Sequence, residues 1–228
     1  HERRRDAAAV ADTARRDHRD GHSVHHLGNQ RHGRQLADMA AGLGADVTIA
    51  DISLPRLRYL EQIMPANVKT LYSSTHNIET ELPYTDLVIG AVLIPGAKAP
   101  HLITKEMLQL MKPGSVLVDV AIDQGGCFET TCCLCPSDPA VFEQYGVLHY
   151  CRQNISNRVA RTTSMALSNI FVPMLFLLGD AGAVQGMIKS DPGFKNGVYM
   201  YCGKPVNSYV SNRFGLSSNN IDLYLSAF

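Results

Sequence analysis

The chain has 228 residues, 45% of them apolar, enough for one large domain or a domain and a half with a full core. Its 21 basic and 21 acidic residues cancel, which argues against a dedicated nucleic-acid binder with its net basic excess. No signal or transit peptide is legible, and the most apolar stretch, 170–178, is interrupted at Pro173 and falls short of the roughly 20 residues of a membrane span, so a cytoplasmic protein without a membrane partner is expected.

Residues 1–26, HERRRDAAAVADTARRDHRDGHSVHH, hold no aromatic residue and little apolar surface, and read as a disordered leader that cannot offset its ordering entropy. Their histidines lack a fixed ligand spacing and their arginines lack interleaved aromatics, so neither a metal site nor an RNA-binding segment is expected. The chain opens on His rather than Met and reads as a fragment. From residue 27 strands and helices alternate. Leu36, Met39, Ala40 and Leu43 form a helical stripe closed by Gly42 and Gly44; 47–50 is a strand ending at Asp51. Leu57, Leu60 and Ile63 or Met64 place a second helix on the sheet, and 68–72 is the next strand.

The stretch 85–126, TDLVIGAVLIPGAKAPHLITKEMLQLMKPGSVLVDVAIDQGG, is expected to hold two fully buried strands, 87–93 and 116–122. Between them an amphipathic helix carries Glu106 early, Lys112 late and Ile103, Met107, Leu110 and Met111 on one side, and stops at Pro113-Gly114. This is a right-handed βαβ unit of a parallel sheet, and ligands of such sheets bind beyond the carboxyl ends of the strands. Those ends run into Pro95-Gly96-Ala97-Lys98 and Asp123-Gln124-Gly125-Gly126. A cysteine-rich loop, a strand at 147–150, an all-round apolar helical segment after Arg161, a helix near 183–189 and a strand at 198–202 complete the chain. The rhythm predicts an α/β fold, a Rossmann-like doubly wound parallel sheet over residues 27–160, followed by a helical segment, 161–228.

A dinucleotide fold needs a glycine-rich first turn at a helix N-terminus and an acid at the end of the second strand for the adenosine ribose. Asp51 meets the second demand and would repel a 2'-phosphate, favouring NAD over NADP; the structural alternative is a strand-end Asp capping the next turn. The first demand is met in part, since Gly28 and Gly33 occupy the outer positions of G-x-G-x-x-G while Gln30 replaces the central glycine; an ordinary loop is the alternative. Asp123 ends the second buried strand and reads as an active-site acid or, structurally, as a cap of the following turn. Lys98 is a candidate anion binder or a solvated loop lysine, and Asp119 a hydrogen-bonded core group. Cys132, Cys133 and Cys135 crowd together without the paired knuckles of a zinc site, so no metal is expected and the thiols read as reduced.

The strings GLGADVTIADISLPRLRYL, LYSS, DLVIGAVLIPGAKAP, MKPGSVLVDVAIDQGGC, HYC and RTTSMALSNIFVP resemble the NAD-dependent alanine dehydrogenases, over roughly residues 36–215. The resemblance implies reversible oxidation of L-alanine to pyruvate and ammonium, with hydride passing from the substrate Cα to NAD through an imine that water hydrolyses. It places Asp51 on the adenosine ribose, Arg56 and Ser73 near the adenine end, and Val92 and Leu93 along the cofactor cleft. Val120 and Ile122 fall beside the nicotinamide, Asp123 as a catalytic acid, and Asn154 in the loop near the nicotinamide mononucleotide. Residues 161–228 correspond to the linking helix and the C-terminal part of the substrate domain, and full-length relatives form ring-like hexamers, implying a homo-oligomer. The family's catalytic histidine and substrate-holding arginine and lysine belong to an N-terminal segment without a counterpart here, so the fragment is expected to be inactive alone. The TTCCLC stretch and the segment before Leu36 read as out of frame with the family. Two other readings are a transhydrogenase alpha-like NAD(H)-binding domain and a non-catalytic NAD-binding or oligomerising module.

Overall fold

The computed structural model describes residues 23–27, 31–94, 98–131 and 140–226, which divide into two compact units, one ending at Asn154 and one beginning at Ile155. The first is built on seven strands: β1 Ser23–Leu27, β2 Asp46–Asp51, β3 Val68–Tyr72, β4 Leu87–Gly90, β5 Val116–Asp119, β6 Val141–Gln144 and β7 Val147–Tyr150. Their order is β3-β2-β1-β4-β5-β7-β6, parallel throughout except for the antiparallel β6–β7 hairpin. The order reverses between β1 and β4, which opens a crevice at their carboxyl ends. Connecting helices are α1 Arg31–Gly42, α2 Leu54–Ile63, α3 Thr75–Glu81 and the single turn α4 Lys105–Leu108.

Alternation along each strand sorts the core onto two faces. Val88 and Leu117 point to one face, among Ile78, Leu82, Ile103, Met107, Leu108 and Phe128; Ile89 points to the other, with Ala37, Ala41, Val47, Ile49 and Leu60. Both faces are therefore covered, as the apolar runs require.

Several boundaries differ from expectation for identifiable reasons. The leader cannot extend to residue 26, because Ser23–Leu27 is the central strand, hydrogen-bonded in register to β2 on one side and β4 on the other. Two parallel neighbours satisfy its backbone groups whatever its composition. Residues 1–22 lie outside the described set. The two apolar runs pair for four residues each: beyond Gly90 and Asp119 the chain leaves the sheet, and Ile122–Gln124 is a 3-10 turn. The amphipathic helix is only Lys105–Leu108; Leu110 is exposed, and Lys112 lies beyond the helix and pairs with Asp86 at 3.2 Å. In α1 the small Ala37 and Ala41 face the sheet with Leu36 and Ala40 packed partly beside them, while Met39 and, just past the helix, Leu43 are exposed, so only half of the expected stripe is buried. The edge strand β6 carried too weak an alternation to be anticipated.

The second unit contains α5 Ala160–Asp180, α6 Val184–Ser190, α7 Pro192–Asn196, the ribbon β8 Met200–Tyr201 and β9 Lys204–Pro205, α8 Ser208–Arg213 and α9 Ile221–Leu225. Its core joins Ile188, Ile221 and Leu225 with Phe194, Val198, Tyr201 and Val206. Asp191 and Asn207 cap α7 and α8, accepting from the Phe194 and Val210 amides at 2.7 and 3.1 Å. Pro173 does not interrupt α5, which continues through it for 21 residues. By length and composition alone, the helical run Ile155–Asp180 reaches what a membrane span requires, a test that core helices of soluble proteins also pass. The expected burial of α5 on several sides is absent: none of its residues is buried.

Candidate functional site

Two groups of residues gather at the carboxyl edge of the first unit's sheet. At the ends of β2 and β3, Asp51 Oδ1 accepts the Ser53 amide at 2.7 Å, and the Ser73 amide donates to the Asp51 carbonyl at 3.0 Å. Asp51 therefore caps the turn into α2, the structural role expected of it as an alternative, while remaining half-exposed at the strand end. Arg56, in the first turns of α2, lays its guanidinium 5.2 Å over the Tyr59 ring. Gly33 is buried in the first turn of α1, which follows β1 after residues 28–30. Gly28 and Gln30 lie outside the described residues.

The second group lies at the ends of β4, β5 and β7. Val92 and Leu93 follow β4 and are half-buried. The Val120 amide donates to the Gly90 carbonyl at 2.8 Å, and Val120 packs partly against the face that holds Ile89. Ile122 is buried and turns the chain outward, leaving Asp123 exposed. Both Asp123 oxygens accept the Asn154 amide, at 3.2 and 3.0 Å. Asn154 has φ +48°, a left-handed conformation that Asn adopts more readily than most residues, and this aims its N–H at the carboxylate. Lys98 runs alongside: its Cε lies 2.7 Å from where a Cβ on Gly125 would stand, and the neighbouring Ala99 amide donates to the Gln124 carbonyl at 3.0 Å. Asp123, Asn154, Lys98 and the 3-10 turn thus form one surface.

Between β2 and β5 stand β1 and β4, three strand spacings, so the two groups are about 14 Å apart at roughly 4.8 Å per spacing. Such a separation across a switch point suits an extended dinucleotide, with Asp51 at one end and Asp123 at the other.

Beneath the second group the structure holds polar contacts the sequence did not announce. Asp119 is 1% exposed; its Oδ2 accepts the Thr131 hydroxyl at 2.5 Å and the Cys127 amide at 3.1 Å, and its Oδ1 faces the Cys127 thiol at 3.4 Å. Burial raises the Asp119 carboxyl above its ordinary range, opposed by these hydrogen bonds. Burial, reinforced by the Asp119 charge, also pushes the thiols of Cys127 and Cys151 far up, so both are inert. His149, fully buried on β7, stacks on Phe142 with centroids 4.7 Å apart. Its Nδ1 lies 2.9 Å from the Val147 carbonyl, which can only accept, so Nδ1 carries the proton and Nε2 accepts the Thr130 hydroxyl at 2.9 Å. Burial lowers its pKa below the usual histidine value. Asp119 was readable as a carboxylate inside an apolar strand, whereas nothing in the spacing of Thr130 and Thr131 names their partners. Cys132, Cys133 and Cys135 lie outside the described residues, and among the described residues no three His, Cys, Asp or Glu side chains gather as a metal site.

Comparison with known proteins follows the same outline. The family described as "Alanine dehydrogenase/PNT, C-terminal domain" matches residues 24–208. An alanine dehydrogenase of Halomonas elongata is 46% identical over 184 residues, 81% of this chain and 49% of that protein. Alanine dehydrogenase 2 of Staphylococcus aureus is 40% identical over 196 residues, 86% of this chain and 52% of that protein. The chain therefore spans about half the length of the curated relatives it matches. Among solved structures, an L-alanine dehydrogenase superposes with a TM-score of 0.73 at 38% identity, covering 85% of this chain and 53% of the other. A transhydrogenase from Sinorhizobium meliloti superposes with a TM-score of 0.63 at 27% identity, over 73% of this chain and 52% of the other.

Proposed function

The chain belongs to the alanine dehydrogenase/PNT C-terminal domain family, and from that premise we propose that it supplies the NAD-binding half of a cytoplasmic alanine dehydrogenase, acting on L-alanine and pyruvate as a homo-oligomer. The observation that carries this reading is the pairing of Asp51 and Asp123 at opposite ends of one sheet edge across the β1/β4 switch point.

In this reading the Asp51 carboxylate accepts hydrogen bonds from the adenosine ribose hydroxyls, while Ser73 and Arg56 border the adenine end. Gly33, in the first turn of α1, would let the helix N-terminus approach the pyrophosphate, with Gly28 as the second glycine of that contact. Val92, Leu93, Val120 and Ile122 line the cleft and keep water from the reacting carbon. Bound NAD supplies the hydride acceptor. Asp123, oriented by the Asn154 amide, holds and exchanges a proton with the substrate nitrogen or the hydrolytic water. Lys98, whose stem lies over Gly125, adds a positive charge near that carboxylate. The exposed apolar surface of α5 favours association with further protein.

Calorimetric titration of the chain with NAD, followed by an alanine-dependent NADH assay, tests the proposal. Binding without turnover is expected, because no described residue fills the role of fixing the alanine carboxylate. Absence of binding would overturn it. The transhydrogenase likeness favours a second reading, an NAD-binding component that works with a separate NADP-binding partner; binding of NAD with no turnover even after the N-terminal half of an alanine dehydrogenase is supplied would select it.

A further inference from the structure

We propose that Asp119 and Thr131 are positioning residues for Asp123: their buried hydrogen bond closes the loop that carries Asp123 and thereby holds its carboxylate against the Asn154 amide. The proposal rests on the reading of Asp123 as the reacting acid.

Asp119 is the last residue of β5, and the loop that leaves it folds back over its carboxylate. The grip falls behind Asp123, where the Cys127 amide donates to Asp119 Oδ2 at 3.1 Å. The intervening segment is closed on itself, since the Gln124 and Gly126 amides donate to the Ala121 carbonyl at 2.9 and 3.1 Å and the Gly125 amide to the Ile122 carbonyl at 3.1 Å. Thr131 completes the closure from the far end. Its hydroxyl lies 2.5 Å from Asp119 Oδ2 and 3.0 Å from the Phe128 carbonyl, and its single proton goes to the nearer carboxylate. Thr131 is itself 1% exposed, so water cannot substitute for it. A strand that merely had to end would not keep a carboxylate buried, because burying a carboxyl group is costly unless its oxygens are occupied by donors. The group makes sense as the hub of the loop, and the exposed residue that the loop presents is Asp123.

The test measures amide hydrogen exchange by NMR on the whole chain, with the Asn154 amide as reporter and the amides of Ile49 and Val88 as references in the sheet. Thr131→Ala is expected to speed Asn154 exchange about tenfold or more, the loss of roughly one hydrogen bond's protection, while the reference amides keep theirs. Thr131→Ser, which retains the hydroxyl, is expected to restore the slow rate. Asp119→Ala is a second route to the same release, since it removes the Oδ2 that accepts both the Thr131 hydroxyl and the Cys127 amide. Unchanged Asn154 exchange in folded Thr131→Ala or Asp119→Ala overturns the proposal, as does an equal rise at the reference amides or failure of Thr131→Ser to rescue. These rates report on the loop whether or not NAD binds, so a chain that fails the NAD titration sinks the functional reading separately.

Discussion

Replacing Gly126 by Ala probes the loop around Asp119 with a perturbation whose size follows from geometry. Gly126 has φ +76°, and an added Cβ would stand 2.6 Å from the Thr131 hydroxyl oxygen, 3.0 Å from Asp119 Oδ2 and 3.2 Å from the Thr131 carbonyl carbon. The left-handed backbone alone costs Ala about 1–2 kcal/mol. The close contact adds to it: the Thr131 hydroxyl must move, and a buried carboxylate that loses a donor costs about 1–3 kcal/mol more. The expected destabilisation is therefore about 2–5 kcal/mol. Gly44→Ala is the matched control, because Gly44 has φ +89° but nothing within 4 Å of its added Cβ, which leaves only the backbone cost. Urea unfolding followed by circular dichroism suits a chain with no tryptophan. Gly126→Ala should lie well beyond Gly44→Ala; equal losses for the two would refute the claim that Asp119 and Thr131 leave no room for a side chain there.

Two further outcomes follow from single residues. The pKa of His149 is lowered by burial, so as pH falls below about 6.5 the unfolded chain takes up this proton before the folded one does, and stability drops on acidification by up to about 1.4 kcal/mol per pH unit from this group. Imidazole NMR should find the His149 midpoint below the ordinary histidine value, with the neutral ring's proton on Nδ1; a midpoint at or above that value, or a neutral ring protonated on Nε2, would contradict the assignment. Asn154→Val forces a β-branched residue into φ +48° and should cost about 1–2 kcal/mol in urea unfolding, whereas Asn154→Gly should stay within about 0.5 kcal/mol of the parent; indistinguishable variants would show that the conformation is not held.

The sheet was legible where apolar runs are continuous and bounded. Val68–Tyr72 and Val147–Tyr150 form as read, and Asp51 ends its strand as expected. β1 was not legible, because SVHHL lacks the apolar texture of a central strand and takes its place through backbone pairing on both sides. The 3-10 turn at Ile122–Gln124 was hidden inside an apolar run whose later residues, Ala121 and Ile122, are buried by the loop's return rather than by the sheet. In the site, the placement of Asp51 followed from its strand end, a local property, whereas Asp123 stands four residues beyond the end of β5, in the 3-10 turn. The Asn154 bond to Asp123 and the Thr131 bond to Asp119 join residues 31 and 12 positions apart, and no local periodicity encodes such pairings.

The claim that this chain is an NAD-binding half is tested most directly by titrating it with NAD and NADP side by side, with Asp51→Ala as the comparison. NAD should bind and NADP should bind more weakly, because the Asp51 carboxylate repels a 2'-phosphate; Asp51→Ala should weaken NAD about 10- to 100-fold, the loss of a charge-assisted hydrogen bond, and narrow the preference. No NAD binding by the parent chain, or NAD affinity unchanged in Asp51→Ala, would contradict the account.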